Sequence, residues 1–249
     1  MTGDGRRFRR GRTGLIAAVS LAFAAAASVA LFGSRPDPET PVTATVQSRP
    51  TLLLLTSLPI VFGERFSIDG HGSPALNALE RHYRVVPISV TDTDSLRQGG
   101  LLLMAHPLAQ PAEALVDLDS WVRGGGRVLL LADPALDWHS ERPFGDRLRP
   151  PPMFADTGLL GHWGVSLRSP EERGPKLREL GARQILTASP GELSGRCPIS
   201  PDGLVARCAV GAGRATIVAD ADFLDVEGLG GPTEHNLEAL IAELANLSR

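Results

Sequence analysis

From Thr51 onward, short uninterrupted apolar runs alternate with segments of helical period, and this alternation most limits the folds open to the chain. A strand covered on both faces shows no polar alternation, and two parallel strands need a crossover long enough to hold a helix. The order predicts an α/β domain with a mostly parallel sheet flanked by helices. Residues 51–56 read as the first strand. Ser73 and Pro74 then supply an N-cap and a proline at the first helical position, opening a helix that carries Leu76 and Leu79 and ends near Arg81. Residues 83–90 and 101–105 read as the next strands. Pro111 opens a helix with Leu115, Leu118 and Val122 on one stripe, and Gly124, Gly125 and Gly126 stop it before a fourth strand at 127–132.

Residues 134–160, with Pro150, Pro151 and Pro152, have little periodicity and predict a surface insertion. Short strands are expected at 164–167 and 184–187, followed by a hairpin-like pair at 204–210 and 214–219 joined through Gly211, Ala212 and Gly213. A closing helix is expected to start at a Thr233 cap and to carry Leu237, Leu240, Ile241, Leu244 and Leu247. With 43% hydrophobic and 21% charged residues, the chain has a folded protein's composition, and residues 51–249 are read as one domain.

Ahead of that domain, residues 15–32 hold no charged side chain over 18 positions, about 27 Å as a helix and enough for a bilayer's hydrocarbon core. Arg6, Arg7, Arg9, Arg10 and Arg12 precede it. Cationic flanks stay on the cytoplasmic side, so residues 1–13 are expected inside, 14–33 as a membrane anchor, and the rest outside. Ser28-Val29-Ala30 is also a small-x-small cleavage site, which keeps a cleaved signal peptide open as the alternative. Either way the domain is exported, single-pass on the inner membrane or released to the periplasm. Residues 34–50, with Pro36, Pro38, Pro41 and Pro50, read as an extended tether.

The formal charge of −3 hides an asymmetry. Setting aside the first twelve residues leaves 20 basic against 27 acidic residues, a balance of −7. An acidic body lacks the basic footprint needed to displace counterions from a phosphate backbone, so no nucleic-acid partner is expected. Cys197 and Cys208 flank Ser200-Pro201-Asp202-Gly203. If Asp202 and Gly203 centre a two-residue turn, counting outward sets the cysteines opposite each other, within disulfide reach. A bulged turn would shift the register by one.

Ligands of open α/β sheets bind beyond the carboxyl ends of the strands. That position singles out Glu64, His71 and Ser73 after the first strand, His106 after the third, Asp133 and His139 after the fourth, and Asp220 and Asp222 after the last. Glu64, His71, His106, Asp133 and Asp220 are the ligand-binding candidates, expected to line one crevice. No catalytic set accompanies them. The G-x-S-x-G elbow, the H-E-x-x-H helix, the phosphate-binding loops and closely spaced Cys/His ligands are all missing, so no catalytic residue, metal site or cofactor is assigned.

Two stretches carry a family resemblance. Gly100-Leu-Leu-Leu-Met-Ala-His-Pro107, followed by residues 111–122 and Gly124-Gly-Gly-Arg-Val-Leu-Leu-Leu-Ala-Asp-Pro134, resembles the auxiliary domain of ABC-type uncharacterised transport systems, the GldG-like group. Val210-Gly-Ala-Gly-Arg-Ala-Thr-Ile-Val-Ala-Asp-Ala-Asp-Phe-Leu224, with His235 and Asn236, is similar to that group's closing strand, turn and helix. The resemblance implies a flavodoxin-like, class I glutamine amidotransferase-like fold in which His106-Pro107 stands where the nucleophilic cysteine would be. It further implies a non-catalytic extracytoplasmic accessory domain, with the permease and ATPase subunits of an ABC transporter as partners. The alternatives are an exported hydrolase using Asp133, Asp220, Glu64 or His106, and a sugar-binding domain presenting Trp138 and Trp163.

Overall fold

A computed structural model describes residues 49–61 and 72–249. The anchor expectation and the tether expectation up to residue 48, together with Glu64 and His71, lie outside the described residues. Among the described residues no helix is long and apolar enough to cross a membrane.

The chain opens with β1 (Thr51–Thr56), α1 (Pro74–His82), β2 (Arg84–Pro87), a one-turn α2 (Thr93–Leu96), β3 (Leu101–Ala105), α3 (Ala112–Arg123) and β4 (Arg127–Leu131). After a long loop come α4 (Leu159–Trp163), β5 (Val165–Arg168), β6 (Lys176–Leu180), β7 (Arg183–Thr187) and β8 (Glu192–Gly195). It closes with β9 (Val205–Val210), β10 (Gly213–Val218), a 3-10 turn at Asp222–Leu224 and α5 (Asn236–Leu247).

Six strands form one sheet in the order β2-β1-β3-β4-β10-β9; all neighbours are parallel except the edge pair β10 and β9. This is the mostly parallel α/β sheet the alternation predicts. Leu52 and Leu54 pack with Leu79 of α1 and Leu240 and Leu244 of α5. Leu53 and Leu55 pack on the opposite face with Leu96, with Leu118 and Val122 of α3, and with Trp163 of α4. Helices cover both faces, so every side chain of β3 is buried and an uninterrupted apolar run is the only pattern that fits. β5 with β8, and β6 with β7, make two small antiparallel ribbons outside the sheet.

Several boundaries differ from the sequence reading for physical reasons. The second strand ends at Pro87 instead of reaching residue 90, and Pro87 has no N–H to extend a ladder. α1 buries Ala75, Ala78 and Leu79, leaving Leu76 half-buried, while Ser73 caps it by accepting the Leu76 N–H. Thr233 does not cap α5; its hydroxyl donates to the Val226 carbonyl, and the helix begins at the buried Asn236. β6, β8 and α2 add elements that the sequence reading leaves out.

Cys197 and Cys208 form a disulfide with Cα atoms 5.0 Å apart. Ile199 pairs with Ala206, and Ser200 donates its N–H to Val205, which is the register that counting from Asp202 and Gly203 gives. The turn is looser than a two-residue hairpin, with the Gly203 N–H reaching Ser200 O, so Pro201 needs no donor there. The 211–213 connection has a second constraint: a Cβ on Gly213 would strike the carbonyls of Val122 and Gly126.

Candidate functional site

At the carboxyl ends of β4 and β10 the chain leaves the sheet through acidic turns, and three of those acids meet. Asp133, Asp220 and Asp222 each place a carboxylate oxygen within 4.8 Å of the others. Their residues are 0%, 0% and 2% exposed. The sequence reading expected these strand-end acids to line an open crevice. They are sealed instead, because each is engaged with backbone N–H groups that the turns would otherwise strand without partners.

Asp133 accepts the N–H of Ala135 through Oδ1 and that of Ala221 through Oδ2, both at 2.8 Å. Asp220 Oδ1 accepts the Phe223 N–H at 2.9 Å, fixing the 3-10 turn that drives Phe223 into the core. Asp222 Oδ2 accepts the Asp137 N–H at 2.9 Å. Asp137 in turn takes the Ser189 hydroxyl at 2.5 Å and pairs with Arg173 at 3.0 Å. Burial raises the pKa of all three acids. Asp220 is pushed well up, by burial first and then by the charges of Asp133 and Asp222. Burial and the Asp133 charge push Asp222 up to about 8. Asp133 rises least freely, since the N–H groups of Ala221, Ala135 and Asp222 favour its ionised form.

His106 follows β3 directly and is buried, with φ at 47°. A left-handed backbone is uncommon for a residue other than glycine and is held here by the neighbouring strands. Its N–H bonds Leu131 O, and its carbonyl accepts the Ser57 hydroxyl at 2.5 Å. Nε2 lies 2.9 Å from Pro151 O. A carbonyl only accepts, so Nε2 carries the proton and Nδ1 keeps a lone pair, which has no partner. Burial lowers the imidazole's pKa, with the Pro151 carbonyl opposing.

The insertion expected at 134–160 is a loop over 132–158, with Leu159 and Leu160 opening α4, and it closes at its neck through Phe154 N–H to Asp133 O and Leu136 N–H to Pro152 O. Beyond the neck Phe144 and Leu148 are 84% and 66% exposed, and Arg149 stacks over the Phe144 ring at 4.0 Å. Where this loop faces the ends of β1 and β2 it walls a groove of about 450 Å³ lined by Ser57, Leu58, Ile88, Leu108, Arg147 and Leu148 among others. Among the described residues this groove, unlike the acidic cluster, is open to solvent. His139 is exposed near Asp225, and Ser73 serves as a helix cap. Trp163 is buried with its indole N–H on Asp119, and Trp138 packs half-buried against the core, so Trp163 offers no stacking face.

The mostly parallel sheet with helices on both faces defines an α/β domain whose strand order reverses between β1 and β3. Among solved structures, the mmIFT52 N-terminal domain matches with a TM-score of 0.51 at 13% identity, over 80% of this chain and 97% of that one. The exo-beta-1,4-mannosidase Op5Man5 from Opitutaceae bacterium strain TAV5 matches with a TM-score of 0.49 at 17% identity, over 79% of this chain. This chain covers 36% of that mannosidase. The likeness to the mmIFT52 domain is one of fold alone. No family model matches the chain, and no curated protein matches it.

Proposed function

We propose that this chain is a non-catalytic extracytoplasmic accessory domain of an ABC-type transport or envelope complex, held at the inner membrane by residues 14–33 with its α/β domain in the periplasm. The observation that carries the reading is how the strand-end groups are used. Asp133, Asp220 and Asp222 are sealed and hold backbone N–H groups, while the ends of β1 and β2 border an apolar groove edged with arginine. A buried carboxylate already bonded to its own turns does not reach a substrate, whereas an open apolar groove with charged rims suits a protein partner.

Further support comes from the scaffold. The strand order β2-β1-β3-β4 and the strained turn at His106 suit a flavodoxin-like, class I glutamine amidotransferase-like fold of the GldG-like kind, with histidine in place of the nucleophile. Both cysteines are consumed by the Cys197–Cys208 bridge, which suits an oxidising compartment. The hydrolase alternative gains nothing from Asp133 and Asp220, which are closed to solvent.

The test is affinity purification of the full chain from detergent-extracted membranes, followed by protein identification and sizing. The expected result is comigration with a permease and its ATPase in fixed ratio. A lone chain in every detergent, or a soluble cytosolic chain with reduced cysteines, would overturn the reading.

A further inference from the structure

We infer that Asp133, Asp220 and Asp222 form a binding site for one hard divalent cation of the calcium type, which fastens the loop after β4 to the turn after β10. The inference is independent of the transporter reading and concerns what neutralises three acids in one buried place.

Three carboxylate oxygens within 4.8 Å of one another fit the span of a calcium shell, about 4.6–5.2 Å across for bonds of 2.3–2.6 Å. All the donors are carboxylate oxygen, the chemistry that hard cations select over zinc or copper. No ion pair among the described residues reaches any of the three, and the neighbouring Arg173 is taken by Asp137. Whatever negative charge the cluster keeps has no protein counter-ion, and uncompensated buried charge is among the costliest features a fold can hold.

Two of the cluster's oxygens are also left without a partner in the protein. Backbone N–H groups hold Oδ1 of Asp220 and Oδ2 of Asp222, yet Asp220 Oδ2 and Asp222 Oδ1 are buried without any hydrogen-bond partner. Two buried oxygens of one cluster thus keep free lone pairs, and these are what a shared hard cation binds. The N–H bonds also fix the carboxylates' orientation, so the cluster is pre-organised without the ion.

The experiment uses the full chain in detergent, stripped with EDTA and dialysed against radioactive calcium, with thermal unfolding followed in calcium, magnesium or zinc. One calcium per chain is expected, with a Tm rise of roughly 5–10 °C at a hundredfold excess over Kd. Asp222→Asn keeps an oxygen for the Asp137 N–H and is expected to fold, to keep its disulfide and to lose the calcium-dependent rise. No bound calcium, or stabilisation by zinc alone, would overturn the assignment. So would a wild-type Tm that falls from pH 5 to pH 8 and ignores calcium, since protons would then neutralise the cluster. Should Asp222→Asn not fold, wild-type dialysis decides alone: no other such cluster exists among the described residues.

Discussion

Asp133 Oδ2 accepts the backbone N–H of Ala221 at 2.8 Å, joining the ends of two neighbouring parallel strands across a sequence separation of 88 residues. Its other oxygen holds Ala135, so one side chain sets the exit direction of both chain segments. Asp133→Ala leaves two N–H groups without acceptors in a dry site. Each costs about 1–3 kcal/mol, more than relief of repulsion among partly protonated acids returns. A net loss of roughly 2–4 kcal/mol is expected by urea denaturation. Asp133→Asn should lose less, because one acceptor oxygen survives.

Asn236 makes a comparable knot at the 3-10 turn that follows Asp220. Its Oδ1 accepts the Leu186 N–H, and its Nδ2 donates to the carbonyls of Leu186 and Phe223, all at 2.8–2.9 Å. Asn236→Ala is expected to cost about 3 kcal/mol. Asn236→Asp should cost more despite its matching shape, since a carboxylate would face two carbonyls with no hydrogen to give. Equal stability of the two variants would show that the amide's donors are unimportant.

Reduction of the Cys197–Cys208 bridge releases a loop with a sequence separation of 11. Chain-entropy arguments give about 3 kcal/mol for a loop of that size. Thermal unfolding with and without reductant should show a drop of roughly 6–12 °C. Cys197→Ser/Cys208→Ser should behave like the reduced protein and should not respond to reductant.

His106 gives a signed pH dependence. Its folded pKa lies below the ordinary 6.5, so between the two values the unfolded chain binds a proton that the folded chain refuses. The His106 contribution is complete above pH 6.5 and is lost as pH falls toward the depressed value, at no more than about 1.4 kcal/mol per pH unit. The raised aspartates act with opposite sign, so the quantity to measure is the wild-type minus His106→Asn difference. Asparagine tolerates the left-handed backbone and does not titrate. That difference should shrink on acidification below pH 6.5; a constant difference would mean the imidazole is not held neutral.

The sequence reading succeeds where a local signal and the final environment coincide. The ends of β1 and β3 agree with it because uninterrupted leucine runs fit only central strands. The hairpin register follows from Asp202 and Gly203, and the disulfide with it. β6 escapes notice because its Lys176, Arg178 and Glu179 look like loop, although a two-stranded ribbon needs only half its side chains covered. The acidic cluster was half legible. Position at strand ends marks Asp133, Asp220 and Asp222, but their burial depends on N–H groups far away in sequence, such as Ala221 for Asp133, and no spacing rule contains that. Asn236 shows the same limit: as a helix-start residue it looks ordinary, and its partners on β7 and the 3-10 turn are set by tertiary packing.

In the proposed function the strand-end face recognises a partner instead of processing a substrate. A photo-crosslinking residue at Leu148, on the groove, compared with one at exposed Leu177 on β6, tests it most directly in intact cells. The expected result is a discrete adduct to an integral membrane permease from position 148 and none from position 177. No adduct from position 148, or equal adducts from both, would contradict it.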